Sequence, residues 1–238
     1  TYTVPEDAND PLENTASVSC SVGDVTVTAG DSHAVNLFQP AINLVKTGDT
    51  LSKIGDDTDY KITLYNLSSP DTPDMSCRIQ DSKLGVDETT TLVAGQDPYV
   101  INKTVAMPDT TDDPYVNTAE VSCSVAGFPN VLTAEASHSV DLFQPSITFD
   151  KTGDPLSKIG DPTDYTITLN NTSSTDTPDL TCTVTDAAVG VNEQVTLPKA
   201  DGSNTHVINA SAPIPGVESD PYVNTAEVRC EVAGFPNV

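Results

Sequence analysis

Lys46, Asp81 and Asn117 each stand at an apolar-parity position of an alternating run, and Lys151, Asp186 and Asn224 repeat the arrangement. In Ile42-x-Leu44-x-Lys46 and Ile147-x-Phe149-x-Lys151 the lysine shares its parity with the apolar residues. Asp81 follows Met75, Cys77 and Ile79 in the same way, and Asp186 follows Leu180, Cys182 and Val184. Asn117 precedes Ala119, Val121 and Cys123, and Asn224 precedes Ala226, Val228 and Cys230. Alternate residues of a strand point to one face, so each set directs an amine, a carboxyl and an amide toward a core. Burying such groups is costly unless they satisfy one another. One solution is an intramolecular isopeptide bond, in which lysine attacks the asparagine carboxamide and ammonia leaves. That chemistry needs a lysine made neutral by apolar surroundings and a nearby carboxylic acid to shuttle protons and polarise the amide. The other solution is a strand-end lysine whose stem packs while its head reaches solvent, with the aspartate and asparagine capping turns. Both fit the residues.

The elements that must place these groups are short strands inside a long internal repeat. The block LFQPxIxxxKTGDxLSKIGDxTDYxITLxNxSSxDTPDxxC occurs twice, so that Leu37 and Lys46 recur as Leu142 and Lys151. A second block, DPYVNTAEVxCxVAGFPNV, runs from Asp113 to Val131 and again from Asp220 to Val238, with a weaker copy at Asp10 to Cys20. The period of about a hundred residues is domain-sized rather than that of a short solenoid repeat. The expected organisation is a repeat over residues 38–142 and a second over 143–238 that lacks its last strand. Residues 1–37 are then the closing part of a preceding repeat, or a segment donated to another copy. Alternation over Tyr60, Ile62, Leu64 and over Tyr165, Ile167, Leu169, between turns such as Thr47-Gly48-Asp49 and Ser69-Pro70-Asp71, predicts antiparallel strands with one buried face. The expected fold is all-β, tandem immunoglobulin-like β-sandwich domains.

Five cysteines look odd in number until the repeat is applied. Cys77 and Cys123 are the early and late cysteines of one repeat, Cys182 and Cys230 those of the next, and Cys20 is the late cysteine of a preceding repeat whose early partner lies upstream. Disulfides Cys77–Cys123 and Cys182–Cys230 are expected, with buried reduced thiols as the alternative, and bridges of this kind imply an oxidising compartment. No Cys-x-x-Cys occurs and histidine is sparse, which argues against zinc.

The formal net charge is −25, from 10 Lys+Arg against 35 Asp+Glu. Such a balance excludes nucleic acid and anionic membrane surfaces as partners. No run approaches the roughly 18 to 20 apolar residues that span a bilayer. There is no nucleophile elbow, no phosphate loop and no Ser/His/Asp set shared by both repeats, so no enzyme is expected. Asp-rich turns at Asp56-Asp57-Thr58-Asp59, Asp71-Thr72-Pro73-Asp74 and Asp109 to Asp113 offer oxygen ligands for calcium, or are solvated acidic turns. Sequons place glycosylation candidates at Asn66, Asn102, Asn170, Asn171 and Asn209. Aromatics recur in pairs, Phe38/Phe143, Tyr60/Tyr165, Tyr115/Tyr222 and Phe128/Phe235, as a scaffold's would, rather than gathering in one loop set for a ligand.

The order K-x-G-D, G-D-x-T-D-Y-x-I-T-L-x-N, C-x-V-x-D and V-N-T-A-x-V resembles the DUF11-type conserved repeat of prokaryotic surface proteins. The resemblance covers both repeats and implies an immunoglobulin-like sandwich in an extracellular stalk or adhesin. The cysteines are an addition to that pattern. The expected function is a non-enzymatic structural protein of the cell surface, a stalk, filament or surface-layer scaffold whose partners are neighbouring repeats or copies joined head to tail. The alternative is an adhesin whose modules bind a glycan or protein.

Overall fold

The computed structural model describes residues 3–5, 7–198, 204–216 and 220–235. Among them the regular elements are strands, and no helix occurs. The chain opens with β1 (Leu12–Val22) and β2 (Val25–Val35). The first repeat contributes β3 (Ile42–Gly48), β4 (Leu51–Ser52), β5 (Asp57–Asn66), β6 (Met75–Asp81), β7 (Val86–Leu92), β8 (Tyr99–Ala106), β9 (Tyr115–Val125) and β10 (Val131–Leu142). The second contributes β11 (Ile147–Gly153), β12 (Pro162–Asn171), β13 (Leu180–Asp186), β14 (Val191–Leu197), β15 (Thr205–Pro213) and β16 (Glu227–Val232).

Leaving the two-residue β4 aside, both repeats wire their strands alike. The first, second and fifth form one sheet, β3-β5-β8 or β11-β12-β15. The fourth, third and sixth form the other, β7-β6-β9 or β14-β13-β16, and in the first repeat β10 and β4 extend it. The β10–β4 pair is parallel, with Asp141 beside Leu51. A chain that crosses in this order between two antiparallel sheets is an immunoglobulin-like sandwich, and the molecule is a tandem of them.

Backbone proximity divides the chain into two compact units. One comprises Thr1–Val45, Ile62–Ile101 and Ala119–Ala136, the other Lys46–Lys61, Asn102–Thr118 and Ser137–Val238. In the first, β6 buries Met75, Cys77, Ile79 and Asp81 while its intervening residues face outward. β9 alternates in the same sense, and register places Ile79 opposite Val121 and Met75 opposite Val125. In the second, Ile167 and Leu169 of β12 and Ile208 of β15 meet Leu180, Cys182 and Val184 of β13, Leu197 of β14 and Val232 of β16 in a single cluster around Phe143. Residues from both sheets fill one core, the mark of face-to-face packing.

Each third strand ends in the same turn, Asp81 to Gly85 and Asp186 to Gly190. The glycines take φ of 63° and 71°, a left-handed backbone that other residues adopt only at a cost. β9 and β16 differ in length for a topological reason. Residues before Glu120 in β9 lie beyond its register with β6, whereas β9 also has β10 on its other side. β16 pairs with β13 alone among the described residues, so Tyr222 to Ala226 carry no strand.

Leu169→Ala removes a side chain that is 1% exposed in the middle of the second core and is expected to destabilise by about 3 kcal/mol in urea unfolding. Thr196→Ala, on the outward face of β14, should stay within about 0.5 kcal/mol. Equal losses would show that the two faces of the sheet are not distinguished as described.

Candidate crosslink site

In the second repeat three sequence-predicted side chains meet. Lys151 leaves the first sheet from β11, and its Nζ donates to Oδ2 of Asp186, which ends β13 in the facing sheet. The Nδ2 of Asn224 donates to the same oxygen at 3.2 Å. The Lys151 side chain is 14% exposed and that of Asp186 0%, so the ammonium head is turned inward rather than into solvent. The other carboxylate oxygen, Oδ1, accepts the Ala188 backbone N–H at 3.2 Å and fastens the turn. Asp186 therefore caps a turn with one oxygen and gathers the amine and the amide with the other.

Tyr165 completes the site, although nothing in the sequence marked it as more than a core aromatic. The Lys151 amine lies 4.6 Å from the centroid of its ring. The ring reaches that position because Gly153 lies directly opposite on β11. A Cβ at Gly153 would stand 2.7 Å from Tyr165 Cδ1 and 2.9 Å from the Asp164 carbonyl oxygen, so the tyrosine occupies the space a side chain would need. Burial, then Tyr222 and Asp186, push the Tyr165 phenol above its ordinary 10.0, keeping it a neutral hydroxyl. The usable signal was the inward parity of the tyrosine in both Asp-Tyr-x-Ile-Thr-Leu runs, together with the glycine two residues after each lysine.

In the first repeat Lys46, Asp81 and Asn117 are all buried, at 5%, 2% and 0% exposure. The Lys46 amine lies 5.2 Å from the Tyr60 ring centroid, and a Cβ at Gly48 would stand 2.4 Å from the Asp59 carbonyl oxygen. Asp81 Oδ1 accepts the Leu84 N–H at 3.1 Å, capping its turn from three residues on where Asp186 does so from two. Among the described residues, neither Oδ1 nor Nδ2 of Asn117 has a hydrogen-bond partner. An amide left so in a dry interior costs about 1–3 kcal/mol for each unmet group. The two asparagines differ in setting: Asn117 lies within β9, whereas Asn224, expected on a strand, sits just before β16 and is half-buried. Among the described residues β9 is flanked by β6 and β10, whereas β16 has β13 as its one neighbour, which accords with the difference.

Cys77 is joined to Cys123 and Cys182 to Cys230. In each pair the cysteines face one another across adjacent strands, β6 with β9 and β13 with β16. Each bridge thus ties the third strand to the sixth within a single sheet. Cys20 is free and exposed.

Several aspartates of the Asp-rich turns hold neighbouring side chains. Asp56 lies 3.6 Å from the Lys53 amine, Asp59 accepts the Thr104 hydroxyl, and Asp71 accepts the Asn36 amide at 2.6 Å. A convergence of carboxylates joins the last of these segments to two distant positions, where Asp113, Asp141 and Asp176 bring oxygens within 4.8 Å of one another. Desolvation first, and then Asp113 and Asp176, raise the Asp141 carboxyl above its ordinary 3.8. At the equivalent place after β2 the residue is Asn36. There Asp71 is lowered, chiefly by its hydrogen bond with Ser69 and also by that with Asn36. Among the sequons, Asn102 and Asn209 are exposed, and Asn66 and Asn170 are half-buried. Asn171 is buried, donates to the Pro198 carbonyl at 2.7 Å and accepts the Ser173 N–H at 3.0 Å. Its amide is committed to the fold, which corrects the expectation that it could carry a glycan.

No family model matches the chain, the DUF11-type repeat included, and no curated protein matches it. Among solved structures it is similar to the tetra-tandem repeat in the extending region of a large adhesion protein, at 16% identity and a TM-score of 0.24. That likeness covers 93% of this chain and 53% of the other, so the chain spans about half the length of that protein. The architecture above rests on the chain's own strand order and core.

Removing the second bridge with Cys182→Ala and Cys230→Ala, which frees a separation of 48 residues, is expected to cost roughly 4 kcal/mol in chemical denaturation on the chain-entropy account. Asp141→Asn should raise the thermal midpoint at pH 7. A carboxyl whose pKa is raised by folding lowers stability once it is ionised in both states, and does not below the unfolded value of 3.8, so the gain should vanish near pH 3. A gain that persists at pH 3 would mean that repulsion among the three carboxylates is not its source.

Proposed function

We propose that this chain is a non-enzymatic, load-bearing scaffold of the cell exterior, built from immunoglobulin-like repeats in series that each lock themselves with a Lys–Asn isopeptide bond. The observation that carries it is the convergence of the Lys151 amine and the Asn224 amide on one oxygen of Asp186, inside a sandwich and bridging its two sheets. In the first repeat, the buried Lys46, Asp81 and Asn117, with the Asn117 amide unpartnered among the described residues, support the same chemistry.

The residues present supply every part of the step. Asp186 takes a proton from the Lys151 ammonium, and the free amine attacks Cγ of Asn224. The carboxylic acid hydrogen-bonds the amide, gives its proton to the departing Nδ2 and takes up the second proton that the attacking nitrogen loses, so that Asp186 ends protonated. A C–N bond forms, the Cγ–Nδ2 bond breaks, and ammonia leaves with no oxidant or cofactor consumed. Tyr165 shields the amine from water. Because Lys151 lies on the first strand and Asn224 beside the sixth, the bond would carry tension directly between the two ends of the repeat. The disulfide acts elsewhere, within one sheet. Cross-strand bridges persist in oxidising surroundings, which accords with an extracellular position. A net charge of −25 keeps a long polymer soluble there. The DUF11-type motifs fit a stalk of this kind, with neighbouring repeats or copies of the chain as its head-to-tail partners.

Intact-mass measurement on the oxidised protein should fall short of the sequence mass by one ammonia per bond beyond the hydrogens lost to disulfides. Tryptic digestion should yield a branched peptide joining Lys151 to Asn224. Asp186→Ala is expected to abolish that branch and leave Lys46–Asn117 intact. Lys151→Arg, which keeps the ion pair but has no amine to acylate, guards against a folding defect. A mass equal to the sequence less only the disulfide hydrogens would reject the covalent lock.

A further inference from the structure

Two tyrosines recur with the asparagine of each repeat, Tyr60 and Tyr115 with Asn117, Tyr165 and Tyr222 with Asn224. Tyr115 and Tyr222 each stand two residues before the asparagine, at its own parity. In the second repeat Tyr165, Tyr222 and Asn224 line one small cavity with Ala188 and Ile214. Its volume is about 10 Å³, the space of a single water-sized molecule. Ammonia has that size.

The amide nitrogen of Asn224 has two N–H groups to place. One donates to Oδ2 of Asp186 at 3.2 Å, and the Asn224 side chain also hydrogen-bonds the Tyr165 hydroxyl. Burial holds the Tyr165 phenol above its ordinary value, and this hydrogen bond pulls it the other way, the direction expected of an N–H given to the phenol oxygen. Nδ2 is thereby held between the carboxyl that supplies its proton and a neutral hydroxyl. The Lys151 amine lies 4.6 Å from the centroid of the same ring, so one side chain borders both reacting nitrogens.

We infer that Tyr165 is a further catalytic residue of the crosslinking step, its hydroxyl holding the leaving nitrogen of Asn224 and donating to it as the Cγ–Nδ2 bond breaks, an inference that rests on the isopeptide reading above. In a planar amide the nitrogen lone pair is delocalised, and the nitrogen can only donate. Attack by the Lys151 amine makes Cγ tetrahedral, and the lone pair returns to Nδ2. A tyrosine hydroxyl carries one hydrogen and two lone pairs, so the group that accepted from the N–H can turn and donate to that lone pair. Such a bond exists only once the amine has attacked, and it favours loss of Nδ2 over return of the lysine nitrogen. The phenol keeps its own proton throughout. Asp186 supplies the proton that completes ammonia, and the adjoining cavity gives ammonia room to depart.

The test follows the full chain from the unfolded state, made as inclusion bodies, dissolved in urea and diluted into a glutathione redox buffer. Circular dichroism times folding, and intact mass with tryptic mapping times the loss of ammonia and the growth of the Lys151–Asn224 branch. Tyr165→Phe keeps the ring beside the amine and removes only the hydroxyl. It is expected to fold at the wild-type rate but to form that branch roughly tenfold more slowly or worse, while the Lys46–Asn117 branch of the same molecules keeps its rate. In Lys151→Arg, which cannot crosslink, adding Tyr165→Phe should move the thermal midpoint by no more than about 4 °C. A larger fall there would mark Tyr165 as a structural residue and overturn the inference. Equal branch rates in wild type and Tyr165→Phe would overturn it too and leave the covalent lock standing. No ammonia loss from the wild-type chain would overturn both.

Discussion

A charged amine on the inner face of a β-sandwich needs a countercharge within the core, because burying it unpaired is costly. Lys151 reaches Asp186 across the second core, and that single contact explains several features around it. The lysine can bend inward because Gly153 leaves room for the Tyr165 ring beside it. The aspartate can stay in place because its second oxygen is held by the turn after β13. Removing any one partner would leave a buried charge alone, which costs more than the pair gains.

The disulfide and the Lys–Asp–Asn set divide the work of holding a repeat together. Cys182 and Cys230 bridge neighbouring strands of one sheet, a connection that resists fraying of that sheet but does nothing to keep two sheets face to face. Lys151 belongs to the other sheet and spans the core. The first repeat has the same division, with Cys77 and Cys123 in one sheet and Lys46 on a strand of the other. Small cores with few aromatics have limited apolar area to bury, and crosslinks compensate for this in the unfolded chain more than in the folded one.

The β9 and β1 strands show how strongly burial of one sequence pattern depends on neighbours. Their inward residues are nearly the same, yet those of β9 are shut away and those of β1 lie open. Asn36 and Asp141 make a similar pair. A one-atom change in side-chain chemistry turns a hydrogen bond to Asp71 into a crowd of three carboxylates.

Much of this was legible in the residues because a strand's side-chain period is two and a repeat displays each pattern twice. Parity alone predicted which face of β3, β6 and β9 turns inward, and so it picked out Lys46, Asp81 and Asn117 and paired the cysteines by position in the repeat. Parity could not say which strands become neighbours. That Cys77 lies beside Cys123 within a sheet, while Lys151 faces Asp186 across the core, follows from the order in which the chain crosses between sheets. The inward turn of the lysine head, against the solvent-seeking alternative, needed Tyr165 and Gly153 in place. The burial of Asn171 and the convergence of Asp113, Asp141 and Asp176 join positions with no common motif. Periodicity is a property of one strand and is written in its sequence, whereas distance between strands exists only once the sheets have closed.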